Sequence, residues 1–133
     1  MRKEDFYFES RDGVTKLHAI IWSDESKSPV GILQIVHGMA EYIDRYDDFA
    51  RFMVEKGFVV VGDDHLGHGD SVGENGTFGY FCKKDPATVL VRDEHRLKKI
   101  MEGKYPGVPY YILGHSMGSF IARECITKYG TDY

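Results

Sequence analysis

Three short apolar runs, Ile32 to Val36, Phe58 to Val61 and Tyr110 to Leu113, punctuate the chain and are separated by stretches with helical periodicity. Runs of four or five such residues are too short for helices and read as buried strands, the first broken only by Gln34. After the first run, Tyr46, Phe49, Ala50 and Met53 fall at i, i+3, i+4 and i+7, which puts one apolar stripe on a helix that ends at Gly57. After the second, Gly62 to Gly79 is too rich in Gly and Asp to be helical and reads as a loop region. Asp85-Pro86 then supplies an N-cap and a proline at the first helical position for a helix carrying Leu90, Leu97, Ile100 and Met101, which stops near Gly103 to Pro106. After the third, Gly118 to Tyr129 is most simply a helix.

Ahead of this alternation, Phe6 to Glu9 and Leu17 to Trp22 read as strands of a hairpin, with Asp12-Gly13 giving the turn its backbone freedom. The order β-β-β-α-β-α-β-α implies parallel strands joined by right-handed crossovers, the α/β class. A length of 133 residues suits one domain, 1–133, and 42% hydrophobic with 29% charged residues is a globular balance. A net charge of -4 lacks the basic footprint of a nucleic-acid binder. Cys82 and Cys125 form neither a disulfide framework nor a CxxC pair, and no signal peptide or membrane-spanning run is visible, so a cytoplasmic protein is expected.

The chemistry concentrates at Gly114-His115-Ser116-Met117-Gly118, between a strand and a helix. A turn this tight strains the nucleophile's backbone and crowds its neighbours, so glycines two residues either side of Ser116 let the chain pass and hold the hydroxyl clear of the sheet. A serine attacking an acyl carbon also needs fixed donors for the developing oxyanion, which backbone N–H groups supply. Met117 N–H is one candidate, and Met39 N–H, in the His37-Gly38-Met39-Ala40-Glu41 segment after the first central strand, is the other.

These segments, with Arg45-Tyr46 and Asp64-His65-Leu66-Gly67-His68-Gly69-Asp70-Ser71, resemble the monoacylglycerol lipase and lysophospholipase branch of the α/β-hydrolase fold. Val91-Arg92-Asp93 and Tyr105-Pro106-Gly107 are similar to that family's segment before the nucleophile. The resemblance implies that Ser116 is the nucleophile, that Met39 and Met117 supply the oxyanion N–H groups, and that the substrate is a monoacylglycerol or lysophospholipid-like ester. It also implies transient contact with a membrane surface, where such lipids reside. The family often has Gly where this chain has Ala40 and Ser119. Asp63, Asp64, His65, His68 and Asp70 include metal-ligand types, but their spacing fits no closed zinc pattern, and no metal or cofactor is expected. His18 and His95 read as surface or packing residues.

A serine nucleophile needs a histidine base oriented by an acid, in the chain order Ser, Asp or Glu, His. The residues after Ser116 include Glu124 and Asp132 but no histidine, and all six histidines precede Ser116. His115 projects away from its neighbour at such a turn and is a poor base. The chain is therefore expected to be the N-terminal part of a hydrolase, a single incomplete domain ending after the nucleophile helix. Tyr110 to Leu113 would then be an open sheet edge prone to self-association. Two other readings stand beside the esterase: an inactive fragment that associates through this edge, and an aminopeptidase of the same fold.

Overall fold

The computed structural model describes residues 1–73 and 76–133, so Glu74 and Asn75 of the expected Gly62 to Gly79 loop lie outside the described residues. The hairpin pairs β1 (Arg2–Glu9) with β2 (Lys16–Ser23) antiparallel, from Arg2 opposite Ser23 to Glu9 opposite Lys16. Its turn is closed by Asp12, whose carboxylate accepts the Val14 and Thr15 N–H groups at 2.9 and 2.8 Å, while Gly13 takes a φ of 83°. β1 begins four residues before the expected Phe6, because an edge strand keeps its ladder even where the outward side chains are polar.

With β3 (Gly31–Val36), β4 (Phe58–Asp63) and β5 (Tyr110–Gly114), the sheet has the spatial order β1-β2-β4-β3-β5. β4, β3 and β5 are parallel, whereas β2 lies antiparallel beside β4, so the sheet is mixed. Period-two alternation divides the strands between two cores. Leu17, Ala19, Ile21, Ile32, Val36, Val59 and Val61 face the side covered by α2 (Pro86–Lys104) and α3 (Met117–Tyr129). Ile20, Trp22, Leu33, Ile35 and Val60 face the side covered by α1 (Asp47–Glu55). Fully burying each such side chain contributes about 1.5–3 kcal/mol. Among the described residues, no helix is long and apolar enough to cross a membrane.

Two expectations need correction. On α1 the buried stripe runs through Ala50 and Val54, with Tyr46 and Met53 at its margin, while Phe49 is 39% exposed. Periodicity alone does not say which edge of a broad apolar face meets the sheet. Asp85 stands at the N-cap position of α2 with φ 49°, but its side chain makes no capping hydrogen bond, so Pro86 is the part of the start signal that acts as expected.

Tyr110 to Leu113 forms the expected strand, but it is the terminal strand of the sheet and is covered on one face only. Tyr110 and Ile112 pack toward α2 and α3, whereas Tyr111 and Leu113 on the other face are 51% and 40% exposed. At its C-terminal end the chain turns sharply into α3. A Cβ on Gly118 would lie 2.0 Å from the Val36 carbonyl oxygen, and one on Gly114 would lie 2.4 Å from the Gly118 carbonyl oxygen. Both contacts are with backbone, which cannot swing away.

One polar cluster sits inside the core between β4 and α2. Asp63 and Glu94 are fully buried, and among the described residues both Asp63 oxygens, Glu94 Oε2 and His65 Nδ1 lack a hydrogen-bond partner. Gln34 donates its amide to Glu94 Oε1 at 3.2 Å and accepts the Tyr110 hydroxyl. Burial pushes both carboxyls upward; the charge of Asp63 raises Glu94 further, and the neighbouring Asp64 carboxylate raises Asp63. Two ionised carboxylates cannot satisfy each other there, whereas a single proton between them converts one into a donor.

Two outcomes are expected. Because the folded pair keeps a proton that the unfolded chain has released, its contribution is greatest below the ordinary carboxyl range and is lost as pH rises, so stability should fall between about pH 5 and 8. Glu94→Gln, which carries a permanent donor, should flatten that slope in thermal melts; an unchanged slope would place the proton elsewhere. Gly118→Ala should cost about 2 kcal/mol or more in urea unfolding, the cost of overpacking against backbone. A loss below about 0.5 kcal/mol would contradict that close approach.

Candidate active site

Ser116 occupies the turn between β5 and α3 with φ 56° and ψ -123°, a region that non-glycine residues adopt only under constraint. His115 N–H donates to the Val36 carbonyl at 3.1 Å, and Gly118 N–H and Ser119 N–H donate to the His115 and Ser116 carbonyls at 2.9 Å each, which locks both sides of the turn. Ser116 is exposed, Met117 half-buried and Gly118 buried, so the serine projects to the surface from a rigid base. Met117 is the first residue of a 13-residue helix, where the N–H groups point outward and the helix dipole favours negative charge.

The His37-Gly38-Met39-Ala40-Glu41 loop lies against this turn. A Cβ on Gly38 would be 3.0 Å from both Ser116 Cβ and the His115 carbonyl oxygen. Met39 is 48% exposed beside it, and Ala40 takes a φ of 62°, a conformation that suits glycine better. The structure thus brings Gly38, His115 and Ser116 into contact and places Met39 and Met117 next to that contact.

Three imidazoles fasten the Gly38 loop to the segment after β4. His37 Nδ1 lies 2.8 Å from the Gly38 carbonyl, its Nε2 accepts His65 N–H at 3.1 Å, and His65 Nε2 returns to the His37 carbonyl at 2.8 Å. His68 Nε2 accepts Ala40 N–H at 3.0 Å, and its ring stacks on Phe81. Burial lowers the His37 pKa to about 4 and holds that of His65 well below its ordinary value, so both stay neutral and keep the acceptor nitrogen or donor that each contact requires.

Asp64 anchors the same assembly from below. It accepts the Ile43 and Asp70 N–H groups at 2.7 and 2.9 Å, and His18 Nδ1 lies 2.7 Å away. His18 also reaches Asp5 through Nε2 at 2.7 Å, so it is a buried bridge between the hairpin and the loop; the expectation of a surface or packing residue missed this bond. Its partner lies 46 positions away, beyond any local signal. His95 stacks on Tyr129 and bonds Asp132.

The residues considered for a metal fall into two groups. His18, Asp64 and Asp70 bring ligand-type atoms within 4.8 Å of one another, as do Asp63, His65 and Glu94. In the first group His18 and Asp64 are already bonded to each other, His18 also to Asp5 and Asp64 also to loop amides; the second is the buried pair described above with His65. His68 belongs to neither, with both nitrogens engaged by backbone. Cys82 and Cys125 are free thiols, and burial raises both.

His115 Nδ1 lies 3.1 Å from Glu41 Oε1. The other five imidazoles hold the partners already named. Near the serine, an apolar cleft of 420 Å³ has Met117, Phe120 and Ile121 on one wall and Phe81, Pro86 and Leu90 on the other. A larger cleft of 940 Å³ lies between the Asp12 turn and the Gly67 to Lys84 segment and contains none of the elbow residues.

Comparison with known proteins identifies the family and the fold. The family described as serine aminopeptidase, S33, matches residues 27–133. Monoglyceride lipase of Homo sapiens is 37% identical over 95 residues, covering 71% of this chain and 29% of that protein. Monoacylglycerol lipase of Mycolicibacterium smegmatis is 30% identical, covering 85% and 38%. The crystal structure of a carboxyl esterase from Bacillus coagulans superposes with a TM-score of 0.91 at 39% identity, over 99% of this chain and 42% of that one. The chain thus spans well under half the length of these relatives. From the match over residues 27–133 and the shared fold, the chain belongs to the serine aminopeptidase S33 family of α/β-hydrolases and corresponds to the N-terminal part of a monoacylglycerol lipase-like member.

Proposed function

We propose that the chain carries the nucleophile and oxyanion hole of a serine hydrolase that cleaves monoacylglycerol or lysophospholipid-like esters. The observation that carries this reading is the constrained backbone of Ser116, exposed at the start of α3 with Gly38 packed against it. Ser116 Oγ attacks the ester carbonyl carbon and gives up its proton to a base; the carbonyl π-electrons move onto oxygen. Met39 and Met117 N–H groups stabilise that oxyanion; its collapse breaks the acyl C–O bond, the base returns its proton to the departing glycerol or glycerophosphodiester oxygen, and an acyl-serine remains for water to hydrolyse.

The base and its acid come from polypeptide outside residues 1–133, either continuous with this chain or on a second one, since the six imidazoles here hold other partners. Relatives at 37% and 39% identity are a monoglyceride lipase and a carboxyl esterase, which favours an ester over the amide suggested by the family's description. The apolar cleft beside Met117 suits an acyl chain. The uncovered edge of β5, flanked by exposed Tyr111 and Leu113, supports association with another strand, and for the isolated chain the available strand is that of a second copy.

Incubation with a fluorophosphonate should give slow labelling of Ser116, abolished by Ser116→Ala. Loss of a triad member leaves roughly a thousandfold to ten-thousandfold over water, so the reaction should be detectable but weak. An adduct that persists in Ser116→Ala would sink the assignment. Sedimentation velocity at high concentration should show dimers that Tyr111→Lys reduces, and a monomer throughout would refute pairing through β5.

A further inference from the structure

Three groups converge on one carboxylate oxygen beside the elbow. Glu41 Oε1 accepts Gly38 N–H at 2.6 Å and the Tyr46 hydroxyl at 2.8 Å, and it lies 3.1 Å from His115 Nδ1. The Glu41 side chain is only 10% exposed, and Arg45 stands 3.5 Å from its second oxygen. Burial opposes the charge, but the bonds from His115, Gly38 and Tyr46 outweigh it and hold the carboxyl down to about 2, so Glu41 is ionised at neutral pH. Hydrogen bonds to an ionised acceptor are shorter and about twice as strong as neutral ones.

The placement matters more than the strength. Gly38 precedes Met39, and His115 precedes Ser116, with Met117 following. One carboxylate therefore grips the loop that carries one proposed oxyanion donor and the turn that carries the other. Beside this bridge, the two segments are held together by the His115 N–H bond to the Val36 carbonyl at 3.1 Å and by packing of Gly38 against His115 and Ser116. Glu41 N–H also donates to the Gly38 carbonyl at 3.2 Å, so the Gly38 to Glu41 bond is reciprocal and the loop cannot open without breaking both.

We propose that Glu41 is a positioning residue that sets the spacing between the two oxyanion amides by binding Gly38 N–H and the His115 imidazole at once. This role rests on the hydrolase reading above. Glu41 gives no proton to the reaction; its oxygens contact groups that carry the site. A purely structural carboxylate would change stability and leave the elbow's reactivity per binding event intact, whereas a spacing device acts on the chemical step after the probe has bound.

The test uses the 133-residue chain with two independent readouts, hydrogen exchange of the Gly38 amide by NMR and inactivation by a fluorophosphonate, separated into kinact and KI. Glu41→Ala should speed Gly38 exchange by about tenfold or more, the worth of a hydrogen bond to a charged group. It should lower kinact by a similar factor with KI unchanged, and Glu41→Gln, which keeps a carbonyl acceptor, should recover part of both. If Glu41→Ala does not fold, Glu41→Asp, one methylene too short to reach both segments, takes its place with the same criteria. Gly38 exchange within about twofold of the parent, or a change confined to KI, overturns the proposal. Absence of labelling in the parent chain counts against the hydrolase reading alone, and Gly38 exchange then decides the role of Glu41.

Discussion

The approach of α3 to β3 is the constraint on which the rest of the site depends. The Val36 carbonyl oxygen accepts His115 N–H at 3.1 Å and lies where a side chain at position 118 would have to begin. With backbone packed on backbone, the turn between them has no freedom to relax, and Ser116 is held at φ 56° and ψ -123°. Such a conformation costs on the order of 1–3 kcal/mol and survives only where the surroundings over-determine it. Here they do, because burial of Ile121, Ala122 and Cys125 on the sheet fixes the helix axis and leaves the strain nowhere else to go. Strain at Ser116 is a consequence of core packing, and it exposes the hydroxyl as a by-product.

The buried polar residues follow from the same geometry. Loops that leave the C-terminal ends of β3 and β4 together bring N–H groups that no strand can satisfy. Asp64 takes two of these amides and His37 a third, and each must remain in one protonation state to do so. An imidazolium at position 37 would lose its acceptor nitrogen, so the low pKa imposed by burial is what permits the bond to His65 N–H. Asp63 and Glu94 use the same residue types a few ångströms away with a different result. Asp63 has no amide to accept from among the described residues and Glu94 has only the Gln34 side chain on one oxygen, so a proton must serve in place of a donor.

What could be read from the chain divides along the same line. Strand and helix alternation and the elbow glycines were legible because each is set by neighbours within a few positions: Gly114 and Gly118 are required by contacts inside one turn. The neighbour of β2 was not legible, since pairing with β4 rather than β3 is decided by how the crossovers pack. Phe49 was assigned to the buried stripe because the helical period defines a face but not its centre. His18, Asp5 and Asp64 meet across two adjacent strands and a loop, a relation with no sequence spacing. Glu41 was the missed residue with a local trace, for the reciprocal Gly38 to Glu41 pairing at i, i+3 has the offset of a helix capping box without a long helix behind it.

This division also accounts for how the catalytic parts are distributed. In the proposed site the oxyanion donors are backbone amides, and their placement to within a fraction of an ångström demands contiguous, mutually packed segments; β3, β5, α3 and the loops tied by His37, His65 and Glu41 are such segments. A general base is a side chain on a flexible stem that needs only to reach the serine, so it can be delivered from a distant segment. The six imidazoles here are spent on backbone carbonyls, amides and carboxylates that hold the loops in place. Releasing any of those at the site to serve as a base would loosen the surface that makes the base useful. The rigid half of the site and the mobile proton acceptor are therefore best drawn from different parts of the polypeptide, and β5, uncovered on its outer edge and flanked by exposed Tyr111 and Leu113, is the side from which the second part can approach.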